Sequence, residues 1–161
     1  NIAIKSTERV TVRGRLTSRV NDTAVGNSGG ITIDTANLTV ENGGRITALT
    51  SGKGNAGNVV IKATQGVTVG GSLSSGVTDT GVGDSGDITI DTSTLTVENG
   101  GIISANTFGK GNAGNIAIKS TERVTVRGRL TSRVNDTAVG NSGGITIDTA
   151  NLTVENGGRI T

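Results

Sequence analysis

Apolar and polar residues alternate at a spacing of two in short runs along the whole chain. Ile31-Thr32-Ile33, Leu38-Thr39-Val40 and Ile46-Thr47-Ala48 form one such series, and Ile2-Ala3-Ile4, Val10-Thr11-Val12 and Leu16-Thr17-Ser18 form another before it. A period of two marks strands with one buried face, and no run shows helical spacing. Three short strands therefore recur in each segment of about 28 residues. Loops separate them: Gly26-Asn27-Ser28-Gly29-Gly30 answers Gly54-Asn55-Ala56-Gly57-Asn58, Gly14 marks a bend, and Asn42-Gly43-Gly44 makes a sharp turn that needs positive φ.

The pattern itself repeats. Asn1 to Thr47 returns letter for letter as Asn115 to Thr161, and a looser copy starts at Asn58, so the unit is 57 residues with no insertion or deletion. The chain divides into unit 1 (1–57), unit 2 (58–114) and a partial unit 3 (115–161), which together make one continuous array that reads as a section of a longer one. Taken alone, Leu38 to Thr47 with its Asn-Gly would suit a β-hairpin. Stacking each strand on its equivalent one coil below explains the strict periodicity better, because identical side chains then form ladders that fix register. The expected fold is all-β, a parallel β-helix with about three short strands per coil of about 28 residues and two coils per 57-residue unit. Ile2, Ile4, Val10, Val12, Leu16, Ile31, Ile33, Leu38, Val40 and Ile46 should face inward. Lys5, Arg9, Thr11, Arg13, Arg15, Thr17, Arg19, Thr32, Thr39, Glu41 and Thr47 should face outward. A lone coil buries too little to offset its ordering entropy, so stability should accrue with coil number. At the usual inter-strand spacing the array would be a rod about 27 Å long.

Composition narrows the chemistry. Cys, Pro, Met, Trp, Tyr and His are absent and Phe108 is the single aromatic residue, which excludes disulfides, thiolate or imidazole metal sites and an aromatic sugar platform. A net charge of +2 spread along the chain gives neither a nucleic-acid footprint nor a polybasic membrane segment. No apolar run approaches the roughly 20 residues a membrane-spanning helix needs. Low net charge and regular Val/Ile alternation argue against disorder.

The phrases Gly111-Asn112-Ala113-Gly114-Asn115-Ile116-Ala117-Ile118, Leu95-Thr96-Val97-Glu98-Asn99-Gly100-Gly101 and Ile103-Ser104-Ala105-Asn106-Thr107-Phe108-Gly109-Lys110 resemble the repeats of large cyanobacterial exoproteins of the filamentous-haemagglutinin type. The resemblance covers the whole chain. It implies a right-handed β-helical stalk, export by two-partner secretion, and a surface-layer-family or adhesin-like role at the outer cell surface or outside the cell. The secretion-signal domain of that family is not in this sequence. Repeat phrases also identify a fold better than an activity.

Two clusters carry candidate chemistry. Arg9, Arg13, Arg15 and Arg19 surround Gly14 and recur as Arg123, Arg127, Arg129 and Arg133, whereas unit 2 has Gly66, Gly70, Ser72 and Gly76 at those places. The two basic patches, about 19 Å apart, suit an acidic surface polysaccharide, matrix or the acidic loops of an identical filament, besides keeping the rod soluble. Asp79, Asp84, Asp87 and Asp91 form a calcium candidate, set against ordinary turn chemistry because unit 1 has fewer carboxylates there. No other cofactor is expected. Polysaccharide-active enzymes also use β-helices, but every carboxylate here is repeated at the unit spacing or sits in a turn, so no catalytic residue is assigned. Ice or carbohydrate binding through outward threonines is the alternative binding class, and a designed consensus array is an alternative origin. The expected function is structural: a stiff extracellular stalk or adhesin-type spacer whose partners are further coils and neighbouring filaments.

Overall fold

The computed structural model describes residues 1–155 and 157–161, and it is an all-β parallel solenoid. The first coil carries β1 (Ile2–Lys5), β2 (Arg9–Val12) and β3 (Arg15–Val20), and the second β4 (Ile31–Val40) and β5 (Arg45–Thr50). The third carries β6 (Val59–Val69) and β7 (Ser72–Val77), the fourth β8 (Ile88–Val97) and β9 (Ile102–Thr107). The fifth carries β10 (Ile116–Val126) and β11 (Arg129–Thr131), and the last β12 (Ile145–Val154) and β13 (Arg159–Ile160). One sheet runs β1 and β2, β4, β6, β8, β10, β12, and a second runs β3, β5, β7, β9, β11, β13. The strand pairings within both sheets are parallel. A thin third side consists of single parallel bridges that link Val25, Lys53, Val82, Lys110 and Val139.

Among the described residues, three separate strands appear only in the first coil. In the later coils the first two expected strands fuse into one of 10 or 11 residues, interrupted by a bulge. In the 10-residue strands the parity of inward positions flips there, from Ile31, Ile33 and Thr35 to Leu38 and Val40, whereas the extra residue of the 11-residue strands keeps it, from Val59, Ile61 and Ala63 to Val67 and Val69. A buried hydroxyl holds the bend. Thr35 Oγ1 donates to the Asn37 carbonyl at 3.2 Å, Thr92 to Thr94 at 3.2 Å, and Ser120 to Arg123 at 3.0 Å. These local side-chain bonds take up a carbonyl that the bulge removes from the ladder.

The 57-residue unit contains two unequal coils. Ile2 pairs with Ile31, Ile31 with Val59, Val59 with Ile88 and Ile88 with Ile116, so the steps alternate between 29 and 28 residues. The longer coils add a residue at the bulge, where Ala63 to Gly66 lies beside Thr35 to Asn37. They also carry a protruding four-residue turn. It closes by Ala24 N–H to Asn21 O at 2.9 Å, Gly81 to Thr78 at 2.9 Å and Ala138 to Asn135 at 2.8 Å. The shorter coils pass the same corner as Ser51-Gly52 and Phe108-Gly109 but have two residues more at the bend between the sheets, where Glu41-Asn42-Gly43-Gly44 answers Arg13-Gly14, so the net difference is one.

Aliphatic columns fill the interior. Ile33, Ile61, Ile90 and Ile118 form one column, and Val40, Val69, Val97 and Val126 another, each residue buried in the core. Ile2, Ile4, Val10 and Leu16 are inward as expected but half-buried, because their coil is stacked from one side only. Thr47 departs from expectation. It lies on the outward parity yet is buried, pinned between coils with its hydroxyl 3.0 Å from that of Thr17. The loop corner is lined with buried hydroxyls that complete one another's hydrogen bonds: Gly57 N–H donates to Ser28 Oγ at 2.7 Å, and Ser75 Oγ donates to Gly57 O at 2.9 Å. Among the described residues no buried side-chain polar atom lacks a partner, as a low-dielectric interior requires.

Candidate functional site

Of the first patch only Arg13 and Arg15 flank the bend between the two sheets, with Arg9 at the start of β2 and Arg19 near the far end of β3, and they do not form a purely basic surface. Arg13 reaches one coil up to Glu41, with Nε 3.0 Å from Oε2 and Nη2 2.9 Å from Oε1. Arg127 does the same to Glu155 at 2.6 and 3.1 Å. Glu41, Gly70 and Glu98 continue this column between the two arginines, each donating its N–H to a valine carbonyl of the coil before. The expected basic patch is therefore striped with acid, because the alternate coil supplies a glutamate at the arginine position. Hydrogen bonding to Glu41 raises the Arg13 pKa, with its charge adding a smaller push in the same direction. The Arg127 hydrogen bond is likewise the main cause that holds Glu155 below the ordinary carboxylate value.

The other arginines have different fates. Arg9 and Arg123 lie in register with Asn37 and with Thr94 and Asn151. Arg15 is beside Arg45 and Arg129 beside Arg159, and no acid lies within salt-bridge distance of these four among the described residues. Arg19 donates to Ser51 Oγ at 2.9 Å and sits 3.8 Å from Asp22. Arg133 lies beyond the end of β11, its N–H bonded to Asn106 Oδ1 at 3.1 Å.

The four aspartates do not converge. No group of three or more His, Cys, Asp or Glu among the described residues is placed to hold a metal ion. Asp79 is exposed in a protruding turn. Asp84 Oδ1 accepts the Asn112 N–H at 2.7 Å, and Asp87 Oδ1 accepts that of Asn115 at 2.7 Å. Both belong to ladders that pattern reading missed. Asn27, Asn55, Asp84 and Asn112 each present a side-chain oxygen to the backbone N–H one coil on, at Asn55, Asp84, Asn112 and Asn141, with distances of 2.7 to 2.9 Å. A second ladder runs through Asn58, Asp87 and Asn115 to Gly144. The available signal was the recurrence of Asn or Asp at alternating intervals of 28 and 29.

Asp91 belongs to another column that the pattern hid. Lys5, Asp34, Lys62, Asp91, Lys119 and Asp148 stand in register on the outer face of the larger sheet, one charge per coil with the sign reversing at every step. Beside it runs a column of small residues, Ala3, Thr32, Val60, Thr89, Ala117 and Thr146. Surface concavities are shallow. One of about 440 Å³ lies at the bulge beside Glu8, Arg9, Asn37 and Gln65, and another of about 350 Å³ lies beside Asp34, Lys62, Asp91 and Thr121.

No protein-family model, no curated protein and no solved structure matches this chain.

Proposed function

We propose that this chain is a length of a stiff β-solenoid shaft that works as a stalk or adhesin-type spacer at the outer cell surface or outside the cell. The observation that carries this proposal is the uninterrupted run of aliphatic columns from the first coil to the last, joined by parallel strands on two sides. A body whose rungs each contact only their neighbours resists bending and lengthens with copy number. Its surface repeats instead of converging on one cleft, which suits holding things apart. The two-arginine steps at Arg15–Arg45 and Arg129–Arg159 suit an acidic polysaccharide as the lateral ligand. No catalytic role is assigned to any residue.

Arrays of two, four and eight units examined by small-angle scattering and electron microscopy test the shaft. Length should rise by about 9.6 Å per unit at constant cross-section; a compact particle, or a length independent of copy number, rejects it. Protease shaving of intact cells that carry the parent protein tests the location, and loss of the repeats without lysis is the expected result.

A second function has one observation in its favour. Thr11, Thr39, Thr68, Thr96, Thr125 and Thr153 form an unbroken hydroxyl ladder in register, the regular array that ice binding requires. Thr125 is buried, and the adjoining outward column carries Arg13, Glu41 and Arg127, so the hydroxyls do not stand clear as a flat plane. A thermal-hysteresis measurement decides between the two.

A further inference from the structure

We propose that the outer face of the larger sheet is a docking surface for a second copy of this chain, lying side by side in the opposite direction. Three observations carry it: the sign-alternating column Lys5, Asp34, Lys62, Asp91, Lys119, Asp148, the small residues that flank it, and the evenness of its charge count.

A surface on a two-fold axis must be complementary to itself. When two such faces meet about an axis in the face and across the rod, each column lies against its own counterpart with the coil order reversed. The first rung then faces the last, the second the fifth, and the third the fourth. Lys5 meets Asp148, Asp34 meets Lys119 and Lys62 meets Asp91, so every contact joins opposite charges. Parallel packing in register would oppose like with like along the whole column, which disfavours it strongly. The complementarity holds for any whole number of 57-residue units, because each unit contributes one lysine and one aspartate.

The flanking column sets the distance of approach. Ala3, Thr32, Thr89, Ala117 and Thr146 are exposed and short, so the backbones can come close enough for the longer charged side chains to meet. Lys62 and Asp91 lie one coil apart in register yet do not form an ion pair within 4 Å, which leaves their charges available to a partner. Six rungs at about 4.8 Å and a face a few residues wide give on the order of 400 Å² per copy, within the small and transient class of interfaces. Association should be weak in the single chain and strengthen with each added unit, since the contacts lie on one rigid body.

Sedimentation of the 161-residue chain at up to about 1 mM protein, in about 20 mM and about 500 mM salt, tests this. A dimer is expected at low salt and a monomer at high salt. Lys62→Glu should weaken the dimer at least tenfold, because two symmetry-related central contacts become repulsive. The double exchange Lys62→Glu with Asp91→Lys should bring the affinity back to within about threefold of the parent, since the antiparallel partner again presents opposite charges. That exchange would not restore a parallel arrangement offset by one coil, nor a role confined to stacking within one chain. Where a reversal unfolds the solenoid, Lys62→Gln with Asp91→Asn serves instead and should lose association with the β-sheet circular dichroism signal intact. The chain has no cysteine, so Thr32→Cys mixed with Ala117→Cys should cross-link across the interface while neither does so alone. A parent chain monomeric at low salt, a double exchange that stays dissociated, or Thr32→Cys that cross-links to itself overturns the proposal.

Discussion

Arg13 and Glu41, one coil apart, meet through two contacts of 3.0 and 2.9 Å, and Arg127 and Glu155 repeat the same relationship four coils further on. Both pairs are open to solvent, where ion pairs are screened and add little to stability. Arg13→Ala should therefore leave the thermal midpoint almost unmoved while abolishing the charge alternation at the bend. Circular dichroism is the suitable monitor, because the chain has neither Trp nor Tyr. A large fall in the midpoint would show that the pair is a structural clamp.

The acid side of the stability curve should carry a signature of Glu155. Its folded-state pKa lies below the ordinary 4.5, chiefly through the Arg127 hydrogen bond, so its contribution is present above that ordinary value and is lost as pH falls through the depressed one. Glu155→Gln should lower the midpoint slightly at neutral pH, where that contribution is present, and converge with the parent as pH falls, so that the acid limb is flatter. Urea midpoints from neutral pH to pH 3 check this, and an acid limb identical to the parent's would remove the pair from the account.

Ile33 lies in an aliphatic column between Ile4 and Ile61 and is fully buried. Ile33→Asp places a charge there without a partner and should cost at least about 4 kcal/mol, through local opening of the second and third coils. Urea denaturation gives the magnitude and hydrogen exchange gives the place. Thr32→Asp, one residue away on the exposed side, is the control and should change little.

Gly54 has φ of +137°, and a Cβ there would land on the Gly26 carbonyl of the coil beneath. Gly54→Ala should cost about 2–4 kcal/mol from backbone strain and the clash between rungs. Gly14 has open space around its Cα, so Gly14→Ala should be near neutral in the same denaturation experiment.

Asn55 accepts the Asp84 N–H at 2.9 Å. Asn55→Ala should cost about 1 kcal/mol and speed amide exchange at Asp84, whereas Asn55→Asp keeps the acceptor and should protect that amide as well as the parent does. Equal exchange rates in all three proteins would make the ladder a by-product of stacking.

The buried columns were legible because a strand's period of two is local: Ile31, Ile33, Leu38, Val40 and Ile46 could be placed from five or six neighbouring letters. What escaped were relationships between coils. Asn27 with Asn55, Lys62 with Asp91 and Arg13 with Glu41 are each 28 or 29 positions apart, and an exact 57-residue unit conceals that its halves differ by one. Thr47 was misplaced for a related reason, since alternation says which way a side chain points but not how closely the rungs above and below enclose it. The bulge escaped because Thr35 looks like any polar strand residue until its hydroxyl is seen on the Asn37 carbonyl.

The turns at Asn21–Ala24, Thr78–Gly81 and Asn135–Ala138 stand out from every second coil and close on their own backbone. They amount to graduation marks on a shaft, spaced about 10 Å apart along one side. Because their extra residues take no part in the strand ladders, these are the places where the polymer can accept grafted loops or drift in composition while its axis stays straight.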